Sequence, residues 1–450
     1  MKFILIFLTA FMVFLPAHAA TDDCTALPEM IFPLADREYP SNAVWTKIYA
    51  APQTHEKFVD TVALQNGRIL AVAEIYTAEN SGSDIVITEI NGRGRTEWEK
   101  THKVPGLMGV RRMIKTKDGA WVLGNRKQGK NPGDIWIGIF DFQGRLKQTR
   151  TITDSKNTLT IHDIVPGPKG GFIMAASAQK NTKEKSGTHH PVLYRLDAQA
   201  RPISHVAFVT GADSEILTLS PTQSIIPGIL AAGYMRGGDG RRNGWILGIS
   251  ADLSITWQRQ YPRGRGAKIE KIIDYGDDYA IMAGQSLPGG DGTGGGWVML
   301  TRRDSGQVIW QRYFTSKNGQ SAKGLIVNDQ LISVLLDGPD SPVRLAVLNP
   351  RGEVVGMDEF INAQGVTGQK LMPGVQNMRL IAGSTKTTHK IDKKNQMAGP
   401  INPKSLNPAT KPDIDKDGSE IWRGTDAWLI SAMPVDRYED PCAPKMKAPE

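Results

Sequence analysis

The sequence has little cysteine, few aromatics and, after its first residues, no long apolar run. Cys24 and Cys442 are the only cysteines in 450 residues. If they are bridged, no thiol is left to act as a nucleophile. No Gly-x-Ser-x-Gly elbow occurs, which removes the commonest serine-hydrolase signature. The glycine run "GGDGTGGG" lacks the Lys-Ser/Thr pair of a phosphate loop and precedes a strand pattern, so it reads as a flexible loop. Histidines number eight, and His189 and His190 are neighbours whose side chains diverge, which is not metal-ligand spacing.

The one long apolar run is at the start. Lys2, the apolar stretch Phe3–Leu15 and the small-x-small site Ala17-His18-Ala19 have the form of a signal peptide over residues 1–19. Thr-Asp-Asp before Cys24 is not a lipidation box. A periplasmic or secreted protein without a transmembrane segment is expected. In that oxidising setting Cys24 and Cys442 are expected to form a disulfide across the chain's ends. Formal charge is +8, and Arg93–Lys130 carries 11 Lys or Arg against three acidic residues. A one-sided basic surface would attract an anionic glycan or an acidic envelope protein, and nucleic acid is not expected for a secreted chain.

What fills the chain is repetition. "SDIVITEINGRGRTEWEKTH", "GDIWIGIFDFQGRLKQTRTI", "NGWILGISADLSITWQRQY" and "GGWVMLTRRDSGQVIWQRYF" each read as strand, tight turn, strand. A period near about 50 residues with several short strands is the pattern of propeller blades. Third strands recur near Asp84, Asp134, His190, Asn243, Gly296, Pro342 and Asp426, which gives seven blades. The last has no fourth strand after it, whereas "WTKIYA" at Trp45–Ala50 stands alone at the start. The predicted architecture is therefore an all-β, seven-bladed propeller over 44–434, closed by an N-terminal outer strand in its last blade. Residues 20–43 form an extension, 435–450 a tail, and 385–425 a loop insertion in the last blade. Nine tryptophans fall inside the repeat and are expected between blades; Trp422 falls outside it.

With strands lettered A to D from the centre outward, the A–B and C–D turns are short. The B–C loops are long and lie on the opposite rim, which is the expected working face. Aligned at one register, the A strands present Asp60, Arg111, His162, Glu270, Lys323 and Gln369 to a central funnel, as candidate ligand-binding groups or walls of a water-filled channel. His162-Asp163 with Glu270 could form an acid–base pair. Inside the insertion, Asp413, Asp415 and Asp417 alternate before Gly418, the first half of a calcium loop, with Ser419 and Glu420 as further donors. The twelfth position is Gly424 rather than a bidentate Glu, so a structural calcium competes with a solvated acidic turn.

"DSGQVIW" (Asp304–Trp310) resembles the docking segment of bacterial envelope propellers of the quinoprotein-like superfamily: an acid, a turn glycine, then a Trp between blades. The resemblance implies a propeller fold and an envelope address. Quinone enzymes of that group commonly carry adjacent cysteines and eight blades, both lacking here, so quinone chemistry is not expected. The sequence points to a monomeric, non-catalytic binding scaffold with Trp422 as a partner contact. A hydrolase or lyase acting on a polar or anionic substrate in the funnel is the alternative.

Overall fold

Alternating apolar residues and regularly spaced turns build thirty strands and, among the described residues, no α-helix. The computed structural model describes residues 26–34, 39–50, 54–76, 82–128, 131–180, 188–223, 227–276, 278–287, 295–316, 319–328, 330–338, 341–360, 365–390, 413–414 and 420–434. Cys24 and Cys442, the expected signal peptide and the tail lie outside them.

Two strands precede the repeat, β1 (Glu29–Pro33) and β2 (Ala43–Tyr49). Blade 1 is β3 (His55–Ala63), β4 (Ile69–Tyr76), β5 (Asp84–Ile90) and β6 (Thr96–His102). Blade 2 is β7 (Leu107–Lys115), β8 (Gly119–Gln128), β9 (Asn131–Asp141) and β10 (Leu146–Ile152). Blade 3 is β11 (Asn157–Pro166), β12 (Phe172–Lys180), β13 (His189–Leu196) and β14 (Pro202–Ala207). Blade 4 is β15 (Ser214–Pro221), β16 (Gly228–Arg236), β17 (Arg242–Ser250) and β18 (Ile255–Tyr261). Blade 5 is β19 (Gly266–Tyr275), β20 (Tyr279–Leu287), β21 (Gly295–Arg302) and β22 (Val308–Thr315). Blade 6 is β23 (Ser321–Asn328), β24 (Leu331–Asp337), β25 (Val343–Leu348) and β26 (Val354–Phe360). Blade 7 is β27 (Val366–Pro373), β28 (Arg379–Lys390) and β30 (Glu420–Ala432), with the short β29 (Asp413–Ile414). Its outer strand is β2, antiparallel to β30 from Ala43↔Ala432 to Tyr49↔Ala427. The fold is thus the expected seven-bladed ring with its N-terminal closure.

The core is not central. Seven apolar clusters lie one at each junction between neighbouring blades, including the closing one, where Ala71 and Val86 meet Leu380 and Leu429. Third-strand tryptophans Trp136, Trp245, Trp297 and Trp428 are buried in these layers. The fourth-strand tryptophans explain the turn glycines. Trp45, Trp98, Trp257 and Trp310 share one register position on β2, β6, β18 and β22. Each rests on the C–D turn of the following blade, at Gly94, Gly144, Gly306 and Gly352, where a Cβ would run into the ring. These glycines also hold positive φ, between 65° and 77°, a conformation costly for other residues. Gln148 and Ser204 take the Trp position in blades 2 and 3. The next turns then carry Ala200 and Leu253 at positive φ instead of glycine.

The N-terminal segment expected as an extension is built into the ring. β1 pairs in parallel with β22, Glu29↔Gln311 to Pro33↔Thr315. Phe32 stacks on Phe314 at 5.4 Å, and Leu34 joins the cluster between blades 5 and 6. Beyond it, Pro40 accepts from the Glu359 amide at 3.0 Å and Asn42 donates to Asp358 at 2.6 Å. The segment therefore crosses the outer edges of blades 5 and 6 before closing blade 7. Arg312 anchors its start: the fully buried guanidinium donates to the carbonyls of Leu27, Gly352 and Arg351 and lies over Trp310 at 4.8 Å.

Candidate functional site

Every innermost strand breaks register at one shared level, and β7 breaks a second time at Leu107/Gly109. The skipped residues are Val59, Arg111, His162, Leu217, Glu270, Lys323 and Gln369. A bulge of this kind adds a residue to one strand and sharpens its twist, so each blade brings two successive positions to the channel. The six funnel candidates all line one central cavity of about 1380 Å³. One belongs to the second level: Val59, not Asp60, is the register equivalent of Arg111, and Leu217 completes the ring in blade 4. The cavity extends from Lys57 to Gly276, Asp278 and Gln330 in the A–B hairpins, toward the face opposite the B–C rim.

The second level, one residue on, is Asp60, Arg112, Asp163, Thr218, Lys271, Gly324 and Lys370 in blade order. Asp60 Oδ2 meets Arg112 at 3.1 Å and Lys370 at 2.6 Å, and accepts from the Met113 amide at 2.8 Å. Blades 7, 1 and 2 are joined at that carboxylate. Arg112 Nε is 2.7 Å from Asp163, which also accepts from the Leu219 amide of blade 4 at 2.9 Å. Burial works to raise the Asp163 pKa, but Arg112 and Lys271 outweigh it and hold the carboxyl below its ordinary value. Lys370 is lowered to about 8, by burial and then by Arg112. Lys271 is lowered mainly by burial.

His162 connects this channel to a polar cluster at the blade 3–blade 4 junction. Its Nε2 lies 3.0 Å from Ser177 Oγ and 3.9 Å from Glu215, and Ser177 donates to Glu215 at 3.3 Å. His189 Nδ1 is 3.0 Å from Asp213, with Arg236 and Arg242 near the same carboxylate. Serine and carboxylate thus meet the same imidazole nitrogen, whereas a nucleophile relay needs the carboxylate on the other one. Burial lowers His162 to about 4, with Arg111 and His189 adding to it and Glu215 opposing. Glu270, the acid expected to pair with His162, is engaged by Lys268. Ser177 and Glu215 carry no sequence signal; only the fold brings them to His162.

Along Arg93–Lys130 the basic residues do not form one surface. Arg93 and Arg95 sit on a C–D turn, Arg111, Arg112 and Lys115 line the channel, and Arg126 lies on the B–C side.

At the last blade the expected insertion has a different form. Ring pairing of β27 ends at Val366↔Thr385, but β28 and β30 stay paired five residues further, to Lys390↔Ile421. A ladder therefore projects from the B–C rim. Trp422 is a strand residue opposite His389. Asp413 pairs with Ile421 and Ile414 with Glu420; Asp415, Asp417 and Ser419 lie outside the described residues. Among the described residues no helix is long and apolar enough to cross a membrane.

No family model and no curated protein sequence matches the chain. Solved structures do. A protein of unknown function from Bacteroides caccae aligns at 10% identity over 68% of this chain and 94% of that one, with a TM-score of 0.39. Sqt1 from Chaetomium thermophilum aligns at 8% identity over 88% and 99%, with a TM-score of 0.46. The β-propeller domain of the Trilobed protease from Pyrococcus furiosus aligns at 10% identity over 73% and 90%, with a TM-score of 0.44. Likeness at this level concerns fold alone.

Proposed function

We propose that this protein is a non-catalytic binding scaffold of the cell envelope, periplasmic or secreted, which engages a partner through the B–C rim and the arm on blade 7. The observation that carries the reading is the arm itself. It is the one place among the described residues where a B–C pair of strands continues well past the ring. A strand ladder continuing past a closed ring offers backbone to a partner without disturbing the blades that carry it. The channel carboxylates support the same view. Asp60 and Asp163 are committed to amides and cations of neighbouring blades, which suits clamps better than a general acid or base.

The test replaces residues 387–424 with a short turn and compares affinity capture from intact envelopes by the mature wild-type and shortened chains. Capture of a defined protein or glycan by the wild type and its loss in a folded shortened chain support the reading. Equal capture by both removes the arm from it. A structural calcium ion on the acidic run Asp413–Glu420 belongs to the same proposal, and calorimetry of the mature chain with calcium and chelator tests it; no heat at millimolar calcium ends it.

A further inference from the structure

Around the second channel level the charges do not balance. Arg112, Lys271 and Lys370 face two carboxylates, Asp60 and Asp163. Arg112 and Lys370 consume both. Lys271 stands in blade 5 between Thr218 of blade 4 and Gly324 of blade 6, neither of which carries charge, and it has no ion pair or hydrogen bond among the described residues. Its electrostatic neighbours are Asp163, Arg112 and Asp60 across the channel. One level above, Arg111 is exposed to the same cavity, also without an ion pair among the described residues. The other charged bulge residues are neutralised locally, Glu270 by Lys268 and Lys323 by Asp337.

Low-dielectric walls around a cleft focus the field of cations that no carboxylate pairs with and draw anions to it. Here the fold spends two aspartates on clasping blades together and leaves an ammonium and a guanidinium facing open volume. The cavity, at about 1380 Å³, has room for more than a single small ion. We propose that the central channel is an oxyanion site, which takes a small di- or trivalent anion bearing phosphate or carboxylate groups on Lys271 and Arg111. The Asp60–Arg112–Asp163–Lys370 clasp forms the floor beside it. This site does not depend on the arm, so it stands or falls separately from the scaffold reading.

The experiment is calorimetric titration of the mature chain with pyrophosphate and, separately, with citrate, at low and moderate salt. Binding of either probe is expected, weakening as salt rises. Lys271→Met and Arg111→Gln should each weaken it by about tenfold or more, the scale of one lost charge-assisted hydrogen bond. Lys117→Gln, which removes an exposed cation from an A–B turn outside the cavity, should leave it unchanged. Pyrophosphate alone identifies phosphate as the favoured group, citrate alone identifies carboxylate, and both together indicate an unselective oxyanion site. Arg111→Gln alters an exposed side chain, so its effect can be read even if Lys271→Met disturbs the ring. If neither probe binds at about 10 mM, or if Lys117→Gln weakens binding equally, the proposal is overturned.

Discussion

His162 should make this protein acid-labile in a way that one substitution removes. Its imidazole is mostly buried, with 14% of the side chain exposed, and in the folded chain it gains a proton only near pH 4, against an ordinary value of 6.5. Between those values the unfolded chain holds more protons than the folded one, so stability must rise with pH across that window and fall as pH drops through it. A lowering of this size corresponds to about 3 kcal/mol at pH 4 and nothing at pH 7. Two effects compete: burial and Arg111 disfavour the imidazolium, while Glu215 at 3.9 Å favours it. Gln at this position does not titrate and can still reach Ser177. Urea unfolding of the mature wild type and His162→Gln at pH 7, 6, 5 and 4 separates the two, because every other titrating group is common to both proteins. The wild type should lose up to about 3 kcal/mol more than the variant over this range. A constant difference would refute the argument, and a wild type that gains on the variant at low pH would mean that Glu215 wins.

Trp310 is fully buried on the Gly352 turn, and Trp310→Ala should cost about 3–5 kcal/mol in unfolding free energy by denaturant titration. Ser204→Trp should destabilise alone, because the new ring would meet Leu253, and recover with Leu253→Gly; additive single effects would show that Trp and glycine do not need each other. Arg312→Met strips three carbonyls of a charged donor. It should cost about 2–4 kcal/mol and raise amide exchange across Glu29–Pro33, whereas unchanged exchange there would mean that β1 is held by its ladder alone. Asp60→Asn leaves Arg112 and Lys370 facing each other without a full charge between them. It should cost about 3–5 kcal/mol, partly restored by Lys370→Met, and thermal unfolding of the single and double variants checks it.

The blade count, the N-terminal closure and the tryptophan layers were legible because each rests on local pattern. Alternation marks a strand, a turn residue ends it, and Trp at a fixed offset marks the junction. The pairing of β1 was not legible. "EMIFP" is five residues long, ends in proline, and pairs in parallel with an edge 282 positions away at Gln311, which leaves no local trace. Polar residues in apolar inner strands stand out, so Arg111, His162, Glu270, Lys323 and Gln369 were visible. In blades 1 and 4 the same position holds Val59 and Leu217, which look like any strand residue, and Asp60 was the nearest polar substitute. Bulges are set by hydrogen-bond register, and register appears only once strands are paired. The same limit hid Ser177 and Glu215, and concealed that the insertion begins as strand rather than loop.

The bulge ring links these readings physically. A regular inner strand would turn alternate residues to the channel; the bulge presents two in succession, one above the other. Charges on the lower level reach between blades, and Asp60 alone gathers blades 7, 1 and 2, beside the junction that β2 closes from outside. Closure is therefore made twice, by backbone pairing at the rim and by ion pairs at the axis. Because both aspartates are consumed in that second closure, Lys271 on the opposite wall is left without an ion pair among the described residues. An anion entering the channel would favour the folded ring by mass action, while the arm on the far rim would remain free to engage something else.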